Sequence, residues 1–257
     1  MVKLSKRLQG IADYINKGSR AADIGSDHAL LPVYLIQNGL CSFAIAGELN
    51  DGPFLAAKKQ VAAAGQTSKI TVRQGDGLQV IEPGEADTVT IAGMGGSLMT
   101  GILEAGRIAG KLQGVSQLVL QPNVGEDAVR IWLLQHEWVL TQEMIVEEDG
   151  KIYEILVAVP EAVSELTNAE VYDGSILNSG RDQEQQLKLL LRLGPHLLRE
   201  GNAVLLKKWQ SELTKLERIA AQLGESSQPE AALKKAQFRE EMNQIKEVLV
   251  CLQTDKL

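Results

Sequence analysis

The chain contains 257 residues, carries a formal net charge of −7 and is 44% hydrophobic. This length and composition predict one large domain with a packed core and a smaller second domain. No run approaches the roughly 18 apolar residues of a membrane span, and residues 1–8 are charged and amphipathic, unlike a signal sequence. Two distant cysteines and three histidines lack metal-ligand spacing. We therefore expect a cytoplasmic protein without a metal, and its acidic balance excludes nucleic-acid binding through net positive charge.

The run AADIGSDHALLP, which begins at residue 21, is the most informative segment. Small apolar residues lead into Asp23, and Gly25 then turns a buried strand toward a helix, as in folds that bind nucleoside-type cofactors. Only Gly25 remains of the three glycines in a dinucleotide fingerprint, and Ser26, Asp27 and His28 would crowd a diphosphate. The segment therefore favours a cofactor without phosphates, such as S-adenosylmethionine. A purely structural turn is the alternative.

A second predicted strand ends in Glu48, about 20 residues after the glycine turn, where a carboxylate reaches ribose hydroxyls in nucleoside-binding folds. Leu49 and Asn50 follow directly, and an apolar residue there can flank an adenine ring. Asp51 is predicted only to cap the next helix.

The third and fourth predicted strands also end in glycine-rich turns. Asp76 and Gly77 belong to a Gly-Asp-Gly turn, in which the acid can accept a hydrogen bond from an adenine amino group. Ala92, Gly93 and Met94 end the fourth strand, where glycine lets a ligand lie against the backbone and methionine forms a pliable apolar wall.

The fifth predicted strand ends in Gln-Pro-Asn, and Asn123 can both donate and accept hydrogen bonds. Two further β-rich segments, residues 138–147 and 151–159, are joined across an Asp-Gly pair that is typical of a hairpin. Strand–helix alternation followed by this hairpin predicts an α/β fold with a seven-stranded, mostly parallel sheet. The turns named above then share the edge of the sheet at which ligands bind.

Beyond Pro160 the pattern becomes helical, with a turn predicted at residues 224–229. Apolar residues recur at steps of three and four in two segments: Trp209, Leu213, Leu216, Ala220 and Leu223, then Met242, Ile245, Leu249 and Leu252. This spacing predicts an antiparallel, coiled-coil-like helical hairpin. We therefore divide the chain into domains 1–160 and 161–257, the second serving as an arm that grips RNA or as a dimer contact.

The runs DIGSDH, AGE, GDGL, IAGMGG, LQPN and YEI together resemble the bacterial tRNA (adenine-22-N1)-methyltransferases. The resemblance covers residues 1–160 and extends loosely into the helical tail. It implies a Rossmann-like class I methyltransferase domain, S-adenosylmethionine as cofactor and tRNA as substrate, with N1 of adenine 22 accepting the methyl group. We expect a monomer.

The acceptor nitrogen explains the catalytic assignments. Neutral N1 has a lone pair that can attack the methyl group directly, so positioning dominates, and the base must be unpaired or flipped out. Asp27 is the candidate for stabilising the cationic ring or accepting a proton from its amine, unless it merely caps the following helix. Asn123 is the candidate for binding the adenine edge. The predicted cofactor-binding residues are Asp23, Gly25, Ser26, His28, Glu48, Leu49, Asn50, Asp76, Gly77, Ala92, Gly93 and Met94.

Contact with tRNA must use local basic patches because the chain is acidic. The candidates are Lys3, Lys6, Arg7, Lys17 and Arg20 near the N-terminus, and Arg181, Lys188, Arg192, Arg199, Lys207 and Lys208 in the tail. Two other classes stay open at the level of sequence: a nicotinamide-dependent oxidoreductase, and a non-catalytic module that binds the cofactor or RNA.

Overall fold

The computed structural model describes residues 2–177, 180–224 and 229–254. The chain divides into two compact units, Met1–Val171 and Tyr172–Leu257. Within the described ranges, no helix is both long enough and apolar enough to cross a membrane.

The first unit is built on a seven-stranded sheet. Its strands are β1 (Ser19–Ile24), β2 (Cys41–Glu48), β3 (Ile70–Gln74), β4 (Thr88–Gly95), β5 (Gln117–Val124), β6 (Trp138–Glu148) and β7 (Lys151–Pro160). The spatial order is β3-β2-β1-β4-β5-β7-β6. Strands β1 to β5 are parallel, and β7 runs antiparallel to both β5 and β6. The predicted mostly parallel sheet with a closing antiparallel pair is confirmed.

Helices cover the sheet. They are α1 (Lys6–Tyr14), α2 (Leu30–Gln37), α3 (Asp51–Ala63), α4 (Gly96–Ile108), α5 (Glu126–Gln135) and the short α6 (Asn168–Val171). Because helices pack on both of its faces, the central strands carry almost continuous runs of small and branched apolar residues, such as Ala-Ala before Asp23 and Leu-Val-Leu in β5. Ala22 pairs with Ile45 on one side and with Val89 on the other.

Strand β1 is the point at which the strand order reverses, since β2 lies on one side of it and β4 on the other. In open α/β sheets, the loops that leave such a point diverge to opposite faces and open a crevice at the carboxyl ends of the strands. The ends of β1, β2 and β4 therefore define the place for a ligand.

The first unit extends beyond Pro160 to Val171, because α6 packs against β6. The second unit contains α7 (Gln183–Leu193), α8 (Pro195–Glu200), α9 (Ala203–Gly224) and α10 (Pro229–Thr254). Helices α9 and α10 pack against each other.

Most of the apolar positions predicted to face the hairpin core are buried. Those buried are Trp209, Leu213, Leu216, Ala220, Met242, Ile245 and Leu249, and Leu252 is half-buried. The side chain of Leu223 and residues 225–228 of the predicted turn lie outside the described part of the chain. The coiled-coil character of this pair stays a prediction.

A buried ion cluster ties α5 to the β6–β7 hairpin. Arg130 is fully buried between Glu143 and Glu154, and its Nε donates to Glu143 Oε1 at 2.7 Å. Burial alone would lower the pKa of the Arg130 guanidinium, but the two carboxylates raise it above its ordinary value. The guanidinium is therefore charged in the core, and its removal would take away the cation that lies between two buried carboxylates.

We expect Arg130→Met to lower the free energy of unfolding by about 3–5 kcal/mol, the range seen when one partner of a buried ion pair is removed. Urea denaturation at neutral pH measures the loss. Arg107→Met is the matched control, because Arg107 pairs with Glu104 on the exposed surface of α4 and surface pairs stabilise little. Equal losses in the two variants would contradict a special role for the buried cluster.

Candidate active site

The turn after β1 is held against β2 and β4. The backbone N–H groups of Gly25 and Ser26 both donate to the Gly47 carbonyl, at 2.9 and 3.1 Å. Gly25 has φ of +70°, and a Cβ atom there would lie 2.3 Å from Cε of Met94. The left-handed backbone therefore favours glycine at this position, and the end of the flexible Met94 side chain packs against it.

The buried side chain of Asp23 stabilises this turn through hydrogen bonds. Its carboxylate is buried and accepts hydrogen bonds from Ser26 Oγ and Thr90 Oγ1, each at 2.6 Å. Burial raises the pKa of Asp23, while the two hydroxyls and the charge of Arg7 act in the opposite direction. Thr90 was missed from the sequence. Its only signal was a hydroxyl-bearing residue at an interior position of an otherwise apolar strand.

Asp27 does not cap α2. Helix α2 begins at Leu30 with Ala29 at its N-cap, and Asp27, His28 and Ala29 all have left-handed backbones, with φ of +42°, +66° and +55°. The alternative interpretation of Asp27 as a helix cap is therefore wrong, because the N-cap position lies two residues later and the Asp27 backbone is left-handed rather than extended as a cap residue requires. Its side chain is 86% exposed and lies 3.6 Å from Nε2 of His28.

Glu48 ends β2 beside the same turn and has a buried oxygen available to a ligand. The side chain is almost completely buried, and Oε1 has no hydrogen-bond partner among the described residues. Burial raises the pKa of Glu48, the Asp27 backbone N–H that donates to its carboxylate lowers it, and Asp23 and Asp27 raise it further. A buried acceptor without a donor is unfavourable, so a hydroxyl-bearing ligand would satisfy it.

The residues beyond Glu48 form an exposed rim. Leu49 is 57% exposed, and Asn50 is the N-cap residue of α3 without a side-chain cap hydrogen bond. The predicted capping role of Asp51 is wrong, since this residue lies inside the helix and accepts a hydrogen bond from Gln74 Nε2 at 2.6 Å.

The third strand delivers an exposed acid to the same edge. Asp76 is exposed two residues after the end of β3, at the N-cap of the 3-10 helix Gly77–Val80, and its side chain makes no cap hydrogen bond to that helix. Gly77 has φ of +51°, and a Cβ atom there would lie 2.9 Å from Cγ2 of Ile102. The carboxylate of Asp76 is thus not engaged in capping, and glycine is needed beside it.

The ends of β4 and β5 meet in a second corner of the same sheet edge. Asn123 is exposed, and its Nδ2 donates to the Gly93 carbonyl at 2.7 Å. The Gly93 N–H donates to Gln121 Oε1 at 3.1 Å, and Gln121 Nε2 donates to Asn123 Oδ1 at 3.2 Å. Ala92, directly before Gly93, is half-buried. Gln121 belongs to the Gln-Pro-Asn run but was not predicted as a site residue, because a glutamine inside a strand has no distinctive sequence signal.

Several predicted basic contacts have protein partners. Arg20 pairs with Asp87 at 3.3 Å, Arg192 with Glu241 at 3.4 Å, and Arg181 pairs with Glu247. Arg7 points to the corner just described. No group of three or more potential metal ligands occurs within residues 2–177, 180–224 and 229–254.

Comparison with known proteins covers both units. The model of the TrmK family, described as tRNA (adenine(22)-N(1))-methyltransferase, matches residues 21–247. The Bacillus subtilis tRNA (adenine(22)-N(1))-methyltransferase is 48% identical over 249 residues, which are 96% of this chain and 98% of that protein. A crystal structure of B. subtilis TrmK superposes with a TM-score of 0.85 at 46% identity, covering 97% of this chain and all of that one (100%).

A ligand-bound structure is also similar. The Streptococcus pneumoniae protein Sp1610, solved in complex with S-adenosyl-L-methionine, is 38% identical with a TM-score of 0.78, and the match covers 96% of this chain and 100% of that one.

Proposed function

The chain belongs to the tRNA (adenine(22)-N(1))-methyltransferase family, which makes it an enzyme that transfers a methyl group from S-adenosylmethionine to N1 of adenine 22 in tRNA, and on that premise we propose which of its residues do so. Membership of this family replaces the two other interpretations of the sequence, a nicotinamide-dependent oxidoreductase and a non-catalytic binding module. The proposal depends most on one observation: Oε1 of Glu48, at the end of β2, is buried and has no hydrogen-bond partner among the described residues.

Glu48 binds the ribose of the cofactor. A ribose diol supplies the hydrogen-bond donors that Oε1 lacks, and Glu48 lies at the strand end where acids take this role. The turn around Gly25 and Ser26, with His28, receives the amino-acid part of the cofactor. Leu49 and Met94 flank its adenine, and exposed Asp76 accepts from the adenine amino group. Asp23 contributes by holding the turn through Ser26 and Thr90.

S-adenosylmethionine, when bound, supplies an electrophilic sulfonium methyl group. The protein has to hold the acceptor base in line with that group, since the N1 lone pair needs no activation. N1 lies on the Watson–Crick edge, so the adenine must be unpaired or flipped out.

Asp27 stabilises the positive charge that develops on the target adenine during methyl transfer. Its carboxylate is exposed at the sheet edge, is not used as a helix cap, and is held there by a backbone N–H bonded to Glu48. A carboxylate at this position stabilises the developing cation or accepts a proton from the exocyclic amine. Asn123 binds the edge of the same adenine, with one amide hydrogen and one carbonyl lone pair left after its contacts with Gly93 and Gln121.

The helical segment, residues 161–257, contacts the tRNA. Two observations support this contact. Every residue proposed above for the cofactor and the target base lies before residue 161, and the chain is acidic overall, so tRNA needs a separate local surface. We further propose that the enzyme acts as a monomer in the cytoplasm, where it meets its tRNA substrate.

The experiment that tests the activity uses the full chain, S-adenosylmethionine with a labelled methyl group, and two bacterial tRNA transcripts that differ only at position 22. Label should enter the transcript with adenine at position 22 and not the one with guanine there. Equal labelling of both would contradict the assignment of the target nucleotide.

We expect Glu48→Gln to have opposite effects on cofactor affinity and on stability. Loss of the charged acceptor should weaken S-adenosylmethionine binding by about 1–3 kcal/mol, measured by calorimetry. The same change should stabilise the unliganded protein at neutral pH, because burial raises the pKa of Glu48 in the folded state. The wild-type contribution is then present below the unfolded-state pKa and is lost as the pH rises through the folded-state value.

Thermal unfolding of both proteins over a pH series from acid to neutral tests the second effect. Wild type and Glu48→Gln should unfold at similar temperatures at acid pH, and the variant should unfold at a higher temperature at neutral pH. An unchanged affinity would remove Glu48 from the cofactor site, and a pH-independent difference in unfolding temperature would contradict the burial argument.

Asp27→Asn should lower single-turnover methylation of saturating tRNA by roughly 10²-fold, the scale of a lost electrostatic group, without changing cofactor affinity. Asparagine tolerates the left-handed backbone at this position, so the turn is preserved. Asp51→Asn, which removes an acid near the same sheet edge, is the control and should stay near the wild-type rate. If Asp27→Asn also methylates tRNA within a few-fold of the wild-type rate, the Asp27 carboxylate is not catalytic and the rate depends on positioning of the base alone.

A chain ending at Val171 should bind S-adenosylmethionine with unchanged affinity, because all proposed cofactor ligands are retained. It should methylate tRNA far more slowly, because the proposed tRNA-contacting helices are removed. Calorimetry of cofactor binding shows whether the shortened protein is folded. Full methylation activity in that protein would contradict the role of the helical segment.

A further inference from the structure

Arg7 reaches the corner between β4 and β5 from the N-terminal helix. Its Nη1 donates to Gln121 Oε1 at 2.5 Å, and its guanidinium lies over the ring of Tyr153, 5.4 Å from the centroid. A Cβ atom built on Gly93 would lie 3.7 Å from the same Nη1. Arg7 therefore lies directly beside the backbone that we propose the target adenine approaches.

The start of α1 is anchored independently of any ligand. Ser5 is its N-cap, and Ser5 Oγ accepts a hydrogen bond from the Leu8 N–H at 3.3 Å. The carboxylate of Glu148, at the end of β6, accepts from the backbone N–H groups of Lys6 and Arg7 at 2.5 and 3.4 Å. This anchoring fixes the point from which the Arg7 side chain extends.

The hydrogen bonds around Gln121 fix the orientation of its side-chain amide. The Arg7 guanidinium and the Gly93 N–H can only donate, so the carbonyl oxygen of the Gln121 amide must face both of them. The Gln121 NH₂ group must then face the Pro122 carbonyl, which accepts from it at 2.8 Å, and Asn123 Oδ1, which accepts from it at 3.2 Å. Asn123 Nδ2 in turn donates to the Gly93 carbonyl. Gln121 is completely buried, so water cannot substitute for a lost partner.

We propose that Arg7 is a positioning residue for methyl transfer, which orients the Gln121 amide and, through it, the Asn123 amide that faces the target base. The inference rests on the proposed role of Asn123. Arg7 precedes residues 21–247, the part of the chain that the family model matches. Its positive charge also acts on Asp23, so Arg7 is electrostatically coupled to the cofactor turn as well.

A direct contact between Arg7 and a tRNA phosphate is the competing role, and kinetics separates the two. A positioning residue acts on kcat, because a misplaced base reacts slowly even when tRNA is saturating. A phosphate contact acts on KM for tRNA and on the salt dependence of binding, whose slope falls by about one when a single phosphate-binding side chain is removed.

The test uses the full-length enzyme with Arg7→Met, Arg7→Lys and the control Lys59→Met. Arg7→Met should lower kcat by about tenfold to a hundredfold, the scale of a small misplacement, with KM for tRNA and affinity for S-adenosylmethionine nearly unchanged. Arg7→Lys retains the charge and a donor toward Gln121, so it should recover part of kcat. Lys59→Met removes an exposed cation of α3 that has no proposed role in binding or catalysis, and it should behave as wild type.

A double variant tests whether Arg7 acts through Gln121. If it does, Arg7→Met combined with Gln121→Met should be no slower than Gln121→Met alone, whereas independent effects multiply. Cofactor affinity and unfolding temperature identify a variant that fails to fold, and in that case the comparison of Arg7→Met with Arg7→Lys decides. Multiplying losses, or a raised KM with unchanged kcat and a smaller salt slope, would overturn the proposal.

Asn123→Ala distinguishes this proposal from the one on which it rests. Full turnover in Asn123→Ala would show that Asn123 does not act in the reaction, and it would also contradict the proposal that Arg7 acts by orienting Asn123. Slow turnover in Asn123→Ala together with wild-type turnover in Arg7→Met would overturn the role of Arg7 and leave that of Asn123 intact.

Discussion

Two hydrogen bonds to a single carbonyl group hold together the sheet edge at which we propose the cofactor binds. The N–H groups of Gly25 and Ser26 both donate to the Gly47 carbonyl, which binds the turn after β1 to the end of β2. Gly47 directly precedes Glu48, so the same connection sets Glu48 beside the Asp27 backbone N–H. The two carboxylates with the most distinct proposed roles are therefore positioned by one backbone connection between neighbouring parallel strands.

Two sets of buried ionisable groups differ in whether a cation lies beside the carboxylates. In the Arg130 cluster, one guanidinium lies between two carboxylates and joins α5 to the last two strands. Glu48 has no cation among its described hydrogen-bond partners and keeps an unsatisfied oxygen. An uncompensated acceptor lowers the stability of the unliganded protein and raises its affinity for a ligand with matching donors, which is the expected conflict between stability and function at a binding site.

The corner at Gly93 and Asn123 is organised by side-chain amides rather than by charge. An amide carries a donor and an acceptor at opposite ends, so each amide in the series from Gln121 to Asn123 sets the orientation of the next. A neutral adenine that becomes cationic during the reaction needs such an oriented edge, together with one carboxylate on the opposite side. We propose that Asp27, after β1, and Asn123, at the end of β5, supply these groups from the two strands that flank β4.

The amino-acid sequence by itself determined the features that depend on local pattern. Strand–helix alternation, the Asp-Gly hairpin and the single glycine after Asp23 predicted the sheet and a cofactor without phosphates, and the interval from Gly25 to Glu48 identified the candidate ribose ligand. The tertiary structure decided the contacts that join distant residues. Thr90 meets Asp23 across β1 and β4, and Arg7 meets Gln121 from a helix that precedes the sheet. Asp27 proved not to be a cap because three consecutive left-handed residues delay the start of α2. Periodicity and spacing record which face of an element is buried, whereas the pairing of polar side chains depends on strand register and helix packing, which only the folded chain defines.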